Sequence, residues 1–153
     1  MAELETMEEE LIQYIVVGIG SEQYGIDIRF IDNIVRMQRI TRVPTAQTYF
    51  KGIINLRGVI VPVMSIRKKM GLQDDVITNK SRIIILKIEQ QGLLGIVVDE
   101  VKEVVTLSES QIDKGTCDVK SGKNSFINGI GKNGEELISL FDINAITEQK
   151  ENA

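Results

Sequence analysis

The chain has no histidine, no tryptophan and a single cysteine in 153 residues. Without histidine, Ser-His-Asp and Cys-His nucleophile systems are impossible. One cysteine and no histidine leave carboxylates as the main metal-ligating side chains, which removes most metal sites. An internal disulfide is excluded as well. Three tyrosines and four phenylalanines are few for stacking bases, and a net charge of −4 with a pI near 5.0 gives no overall basic surface for phosphate. A nucleic-acid-binding barrel is disfavoured on both counts, although a local basic patch is not forbidden. No run of about 18 apolar residues exists to span a membrane. The acidic start, Met1-Ala-Glu-Leu-Glu-Thr-Met-Glu-Glu-Glu10, is unlike a secretory signal, which opens basic and turns apolar. These absences point to a cytoplasmic soluble protein, and a small β-barrel enzyme, the second reading, would have to work with carboxylates alone.

What is present is a globular composition, 42% apolar and 26% charged. A chain of this length buries roughly 68–70% of its unfolded surface, so a core needs no covalent staple. After an acidic tail over residues 1–10, β-branched and aromatic runs predict strands at Leu11–Val17, Tyr24–Ile28 and near Ile34–Met37, with a helical turn between the last two. Gly18–Gln23 reads as a turn and Pro44 as a loop. The run Gly52–Ile66 carries one charge, Arg57, at a tight turn between the apolar strands Lys51–Leu56 and Val59–Met64. Ser65–Met70 reads as a short Ser-capped helix that Gly71 ends. A polar linker spans Leu72–Lys80. Strands follow at Ser81–Ile88, Leu93–Val98, Val101–Leu107, Phe126–Gly131 and Glu136–Phe141. Between them lie a polar loop over Ser108–Lys123 and a Lys132-Asn-Gly134 hairpin turn, and a helix closes the chain at Asp142–Glu148.

The two halves match each other. Gly25–Val35 aligns with Gly95–Val105 at an offset of 70, and Gly52–Ile66 with Gly129–Ile143 at an offset of 77. Pseudo-repeats over about 11–71 and 81–148 are expected, with a C-terminal tail at 149–153. Each copy is too small to be comfortable alone, and packing two together leaves a groove between them. Small five-stranded units with short helices usually close into barrels. The expected fold is therefore mainly β, two small barrels sharing a core, with most Ile, Val and Leu residues serving packing.

Several motifs read blandly. Gly129–Gly134 fits G-x-G-x-x-G, but a strand follows where a dinucleotide site needs a helix. Asp74-Asp75 and Asp99-Glu100 are adjacent carboxylates that face opposite ways on extended chain and make no acid/base couple. Asp99 has a second reading, a pair across the barrel junction with a basic residue such as Arg57. Asn79-Lys-Ser81 is a glycosylation sequon without relevance in the cytoplasm. Arg67-Lys-Lys69 reads as a solvated helix face, and Cys117 as an ordinary loop thiol. Arg57 has the most to explain. It is either an exposed hairpin residue or an interface anchor whose planar fork meets a carboxylate. The aligned hairpin carries Gly134 at that place, so the fold does not require Arg.

Tyr49-Phe-Lys-Gly-Ile-Ile-Asn-Leu-Arg-Gly-Val-Ile-Val-Pro-Val63 resembles the signature of the CheW family, the coupling proteins of bacterial chemotaxis. Tyr24–Ile28 with Ile31 and Ile34, the Arg42-Val43-Pro44 approach and Gly95–Val101 resemble the family in the same order. The resemblance covers about Leu11 to Ile146 and suggests the stand-alone coupling protein. It implies two five-stranded SH3-like β-barrels packed together, with short helices. It implies a non-catalytic scaffold that bridges the cytoplasmic tips of transmembrane chemoreceptors to the histidine kinase CheA, recruited to membrane arrays without inserting. The kinase's related regulatory domain would pair with it pseudo-symmetrically in rings. Ile31, Gly52, Asn55, Arg57, Val98 and Asp99 match motif positions flanking the inter-barrel groove where the family docks receptor helices, and are the expected partner-binding residues. No cofactor, metal or nucleic acid is implied. The alternative is a small acidic β-barrel module for another protein partner.

Overall fold

The computed structural model describes residues 10–44, 47–89, 91–114 and 126–147. Residues 1–9 of the expected tail, Cys117 and most of its loop, the end of the closing helix at Glu148, and the 149–153 tail lie outside the described residues.

Eleven strands are described: β1 Leu11–Ile19, β2 Glu22–Asp27, β3 Ile31–Arg36, β4 Phe50–Leu56, β5 Val59–Ser65, β6 Arg82–Ile88, β7 Gly92–Val98, β8 Glu100–Ser108, β9 Ile112–Asp113, β10 Ile127–Asn133 and β11 Glu136–Phe141. A 3₁₀ turn, Ile28–Phe30, is capped by Asp27, whose Oδ1 accepts from the Arg29 amide at 2.9 Å. Helix α1, Ile66–Lys69, is capped by Ser65 as its sequence predicts. Helix α2, Ile143–Thr147, starts one residue later than expected because Asp142 caps it, accepting from the Ala145 amide. The polar loop after β8 holds structure that no periodicity could show: a 3₁₀ turn, Glu109–Gln111, and the two-residue β9 on β10. The last hairpin turns at Gly134-Glu135 rather than one residue earlier, since Asn133 still pairs with Glu136.

The strands form two sheets, ordered β8-β1-β2-β11-β10-β9 and β3-β6-β7-β5-β4. Neither half of the chain makes a sheet of its own. Each sheet takes one hairpin from one half (β1-β2 or β6-β7) and the remaining strands from the other half. The parallel pairings β5·β7 and β11·β2 explain this exchange. Parallel neighbours cannot be joined by a tight turn, so each is supplied from elsewhere in the chain. Both junctions use the same register. Val63 faces Gly95, and 77 and 70 residues away Leu140 faces Gly25. A Cβ on Gly95 would lie 2.9 Å from Ile83 Cγ2, and one on Gly25 2.9 Å from Leu140 Cδ2, so both glycines admit a close approach.

Three apolar cores result. Tyr14, Val16, Val105, Leu107, Ile138 and Leu140 fill the inside of the first sheet, and Ile54, Val61, Val63, Ile83, Ile85 and Val97 that of the second. The third and largest core joins the sheets through Val17, Ile26, Ile84, Leu86, Ile96, Val98 and Phe141 among others. Successive residues of β6 alternate between cores, Ile83 and Ile85 inward, Ile84 and Leu86 toward the joint. That is why Ile83-Ile-Ile-Leu86 is unbroken by a polar residue: both faces of the strand are buried. The fold is thus mainly β, two SH3-like units sharing a core.

Candidate functional site

The β4-β5 hairpin closes with a two-residue loop, Arg57-Gly58, between the paired Leu56 and Val59. Both loop residues have positive φ, 57° for Arg57 and 85° for Gly58. Such loops match the twist of the flanking strands but favour Asn or Gly at the first position. Arg57 is the only non-glycine residue with positive φ among the described residues. Asn55 holds the turn, its Oδ1 accepting from the Gly58 amide at 2.8 Å. Arg57 is exposed and makes no hydrogen bond or ion pair among the described residues. Beside it, Val59 and Ile60 are about half exposed, at 49% and 55%. The tip therefore presents a free guanidinium next to bare aliphatic surface.

Asp99 does not meet Arg57. Its partner is Arg67, with Nη2 to Oδ2 at 2.6 Å and Nε to Oδ1 at 3.2 Å. Parallel register explains the choice. Ser65 of β5 faces Val97 of β7, and the chain two residues beyond each supplies Arg67 and Asp99. The same carboxylate accepts from the Gly20 amide in the β1-β2 turn at 2.8 Å, and the Asp99 amide donates to the Gly18 carbonyl at 3.0 Å. Asp99 thus ties the helix of one sheet to a turn of the other. The Arg67 side chain is 15% exposed, so it is not the solvated residue its basic run suggests. The Asp99 carboxylate holds its guanidinium charge more firmly than usual, through their hydrogen bond. Arg67 is the residue that sequence reasoning missed, and only the parallel pairing reveals it.

The other expected residues lie deeper. Gly52 is buried with φ 144°, at a bulge where Thr41 bridges Ile53 through two backbone hydrogen bonds. A Cβ there would sit 2.1 Å from the Thr41 carbonyl oxygen. Val98 is fully buried in the joint core, and Ile31 packs half-buried against the same cluster. The six residues therefore separate into an exposed tip (Asn55 and Arg57), a buried frame (Gly52 and Val98) and the junction (Ile31 and Asp99). On the opposite side of the pseudo-repeat, a cleft of about 530 Å³ opens between the β6-β7 turn and α2, lined by Ile88, Glu89, Gln91, Asp142, Asn144 and Thr147 among others. Asn144 stands 77 residues after Arg67, so the position that locks one side is uncharged on the other.

Two SH3-like units share a joint core and a locked junction, and one of them carries a bare, Arg-tipped hairpin. The CheW-like domain family matches residues 13–151. The chemotaxis protein CheW of Bacillus subtilis (strain 168) is 34% identical over 149 residues, covering 97% of this chain and 92% of that protein. CheW of Klebsiella aerogenes is 32% identical over 141 residues, covering 92% and 84%. The crystal structure of the scaffolding protein TtCheW from Thermoanaerobacter tengcongensis superposes with a TM-score of 0.83 at 30% identity, covering 92% of this chain and 95% of that one. The chain belongs to the CheW family of chemotaxis scaffold proteins.

Proposed function

We propose that this protein is a non-catalytic coupling adaptor that binds the cytoplasmic tips of transmembrane chemoreceptors and the histidine kinase CheA, and holds them in signalling arrays. The observation that carries the reading is Arg57. A left-handed backbone at a residue with a Cβ costs about 1 kcal/mol or more. The matching hairpin avoids that strain with Gly134, φ 66°. Arg57 makes no hydrogen bond or ion pair among the described residues that would offset it, which supports a use with a partner. Its fork suits a carboxylate, and Val59 and Ile60 suit an apolar helix face. Asn55 positions the tip. Gly52, Ile31, Val98 and Asp99 support the reading as the frame that sets the relative placement of the two units. The protein then works in the cytoplasm, is recruited to membranes through receptors, and needs no nucleic acid, metal or cofactor. No helix among the described residues is long and apolar enough to cross a membrane.

Co-sedimentation with receptor-containing membranes and CheA tests this. Wild-type protein should raise kinase recovery in the pellet, and Arg57→Ala should reduce it while keeping the wild-type circular dichroism. No added recruitment by wild type overturns the coupling reading. A variant that unfolds returns Arg57 to a structural role.

A further inference from the structure

Charge is strongly segregated along this chain. Residues 36–70 hold eight of the 18 cations and none of the 22 acidic residues, in a protein of net charge −4. Folding brings part of that segment together. Arg42, from the stretch before β4, Lys51 of β4 and Lys68 of α1 line two adjoining clefts of about 590 and 310 Å³. Thr48 and Phe50 line both, and Val43 and Pro44 add an apolar rim to the larger.

Asp74 of the chain itself lines the smaller cleft, and Asp75 pairs with the same Lys51. Asp75 is an interior counter-ion: its side chain is 2% exposed, and Lys51 Nζ lies 3.3 Å from Oδ2. Neither of its oxygens has a hydrogen-bond partner among the described residues. Asp74 is different. Its side chain is 59% exposed, and its ion pairs are long, 3.6 Å to Lys51 and 3.9 Å to Lys68. Arg42 is exposed and has no partner among the described residues. One cation is therefore unmatched, and a second is held only by a solvent-facing carboxylate at long range.

We infer that the Arg42–Lys51–Lys68 cleft is a second recognition site, which takes a carboxylate-bearing segment of an acidic protein partner, with Asp74 as an internal competitor for Lys68. The site is distinct from the Arg57 tip and does not depend on the coupling reading. Paired carboxylates of an incoming chain meet Arg42 and Lys68, while Val43, Pro44 and Phe50 receive its apolar atoms. Phe50 is the one aromatic lining the clefts, which favours a peptide over a single-stranded nucleic acid that would need successive stacking platforms. Because the pairs are near solvent, binding is weak and salt-sensitive.

The test is an NMR titration of the full chain with a hexaglutamate peptide at low ionic strength. The expected result is shifts at Arg42, Thr48, Lys51 and Lys68 that vanish on adding about 0.3 M salt. Arg42→Gln and Lys68→Gln should each weaken binding about threefold or more, and Asp74→Asn should tighten it about twofold. Arg39→Gln, which removes an exposed cation outside the cleft, should leave it unchanged. Equal loss with Arg39→Gln means diffuse attraction and overturns the site. So does tighter binding of an RNA oligonucleotide than of the peptide, or an Asp74→Asn variant that binds no better. Retained amide dispersion shows in the same spectra that each variant is folded.

Discussion

At Arg57 local energetics and the proposed partner-binding role pull in opposite directions. Gly at that position removes left-handed strain and loses the guanidinium. Arg57→Gly should therefore raise unfolding stability by about 1 kcal/mol in urea titration while lowering receptor-dependent kinase recovery. A residue that served the fold would behave the opposite way. Tyr24 gives a second residue-scale expectation. It stacks on Phe141 with ring centroids 4.6 Å apart. Burial, then the hydrogen bond to Glu22, pushes its phenol up to about 12. A folded-state value above the ordinary 10 means the neutral phenol is favoured in the native state. Its contribution is whole below pH 10 and fades as pH rises from 10 toward about 12. Alkaline unfolding followed by circular dichroism should thus steepen in that window, and Tyr24→Phe should flatten it. The prominence of Arg57 was legible in the sequence, because one charge in an apolar hairpin stands out and the repeat put Gly134 opposite it. The partner of Asp99 was not legible. Arg67 lies 32 residues away, and its neighbourhood depends on a parallel register that no local pattern encodes.

At the scale of elements, the strands of this chain follow from apolar runs and turn residues, and so does the Ser-capped α1. Elements too short to carry a period escaped, as β9 did with two residues. Bulges escaped as well. The β4-β5 register shifts between Phe50 and Gly52, and the β10-β11 register shifts between Ile127 and Gly129, the same place at an offset of 77. Gly52 owes its identity to that bulge and to Thr41. Gly52→Ala should destabilise the protein by about 3 kcal/mol or more, since the obstacle is a backbone carbonyl that has nowhere to move. Gly58, whose added Cβ would meet nothing within 4 Å, should tolerate Ala with a smaller loss, confined to its positive φ. Denaturant midpoints of the two variants separate a steric glycine from a conformational one.

Across the whole molecule, the joint core and the Arg67–Asp99–Gly20 lock set how the two units sit. A buffered, partly buried charge pair with two hydrogen bonds couples its members by about 1–2 kcal/mol. A double-mutant cycle on Arg67→Met and Asp99→Asn should return a coupling of that size. Hydrogen exchange in an Asp99→Ala variant should rise first at the β1-β2 turn, where the Gly20 amide loses its acceptor, and leave the inner cores protected. Exchange that rises uniformly would mean the pair holds up the whole fold rather than the junction.

The sequence by itself determined the longer elements, the duplication, the exclusion of histidine-based chemistry and the oddity of Arg57, because each is written in local pattern or in an offset between two stretches. The tertiary structure alone decided which strands share a sheet. It exchanged hairpins between the halves, since parallel neighbours must come from distant chain, and in doing so it matched Asp99 with Arg67. It also left Arg57 without a partner among the described residues and gathered Arg42, Lys51 and Lys68 around two adjoining clefts. Those outcomes depend on register and long-range packing, and the residues involved are ordinary until folding makes them neighbours.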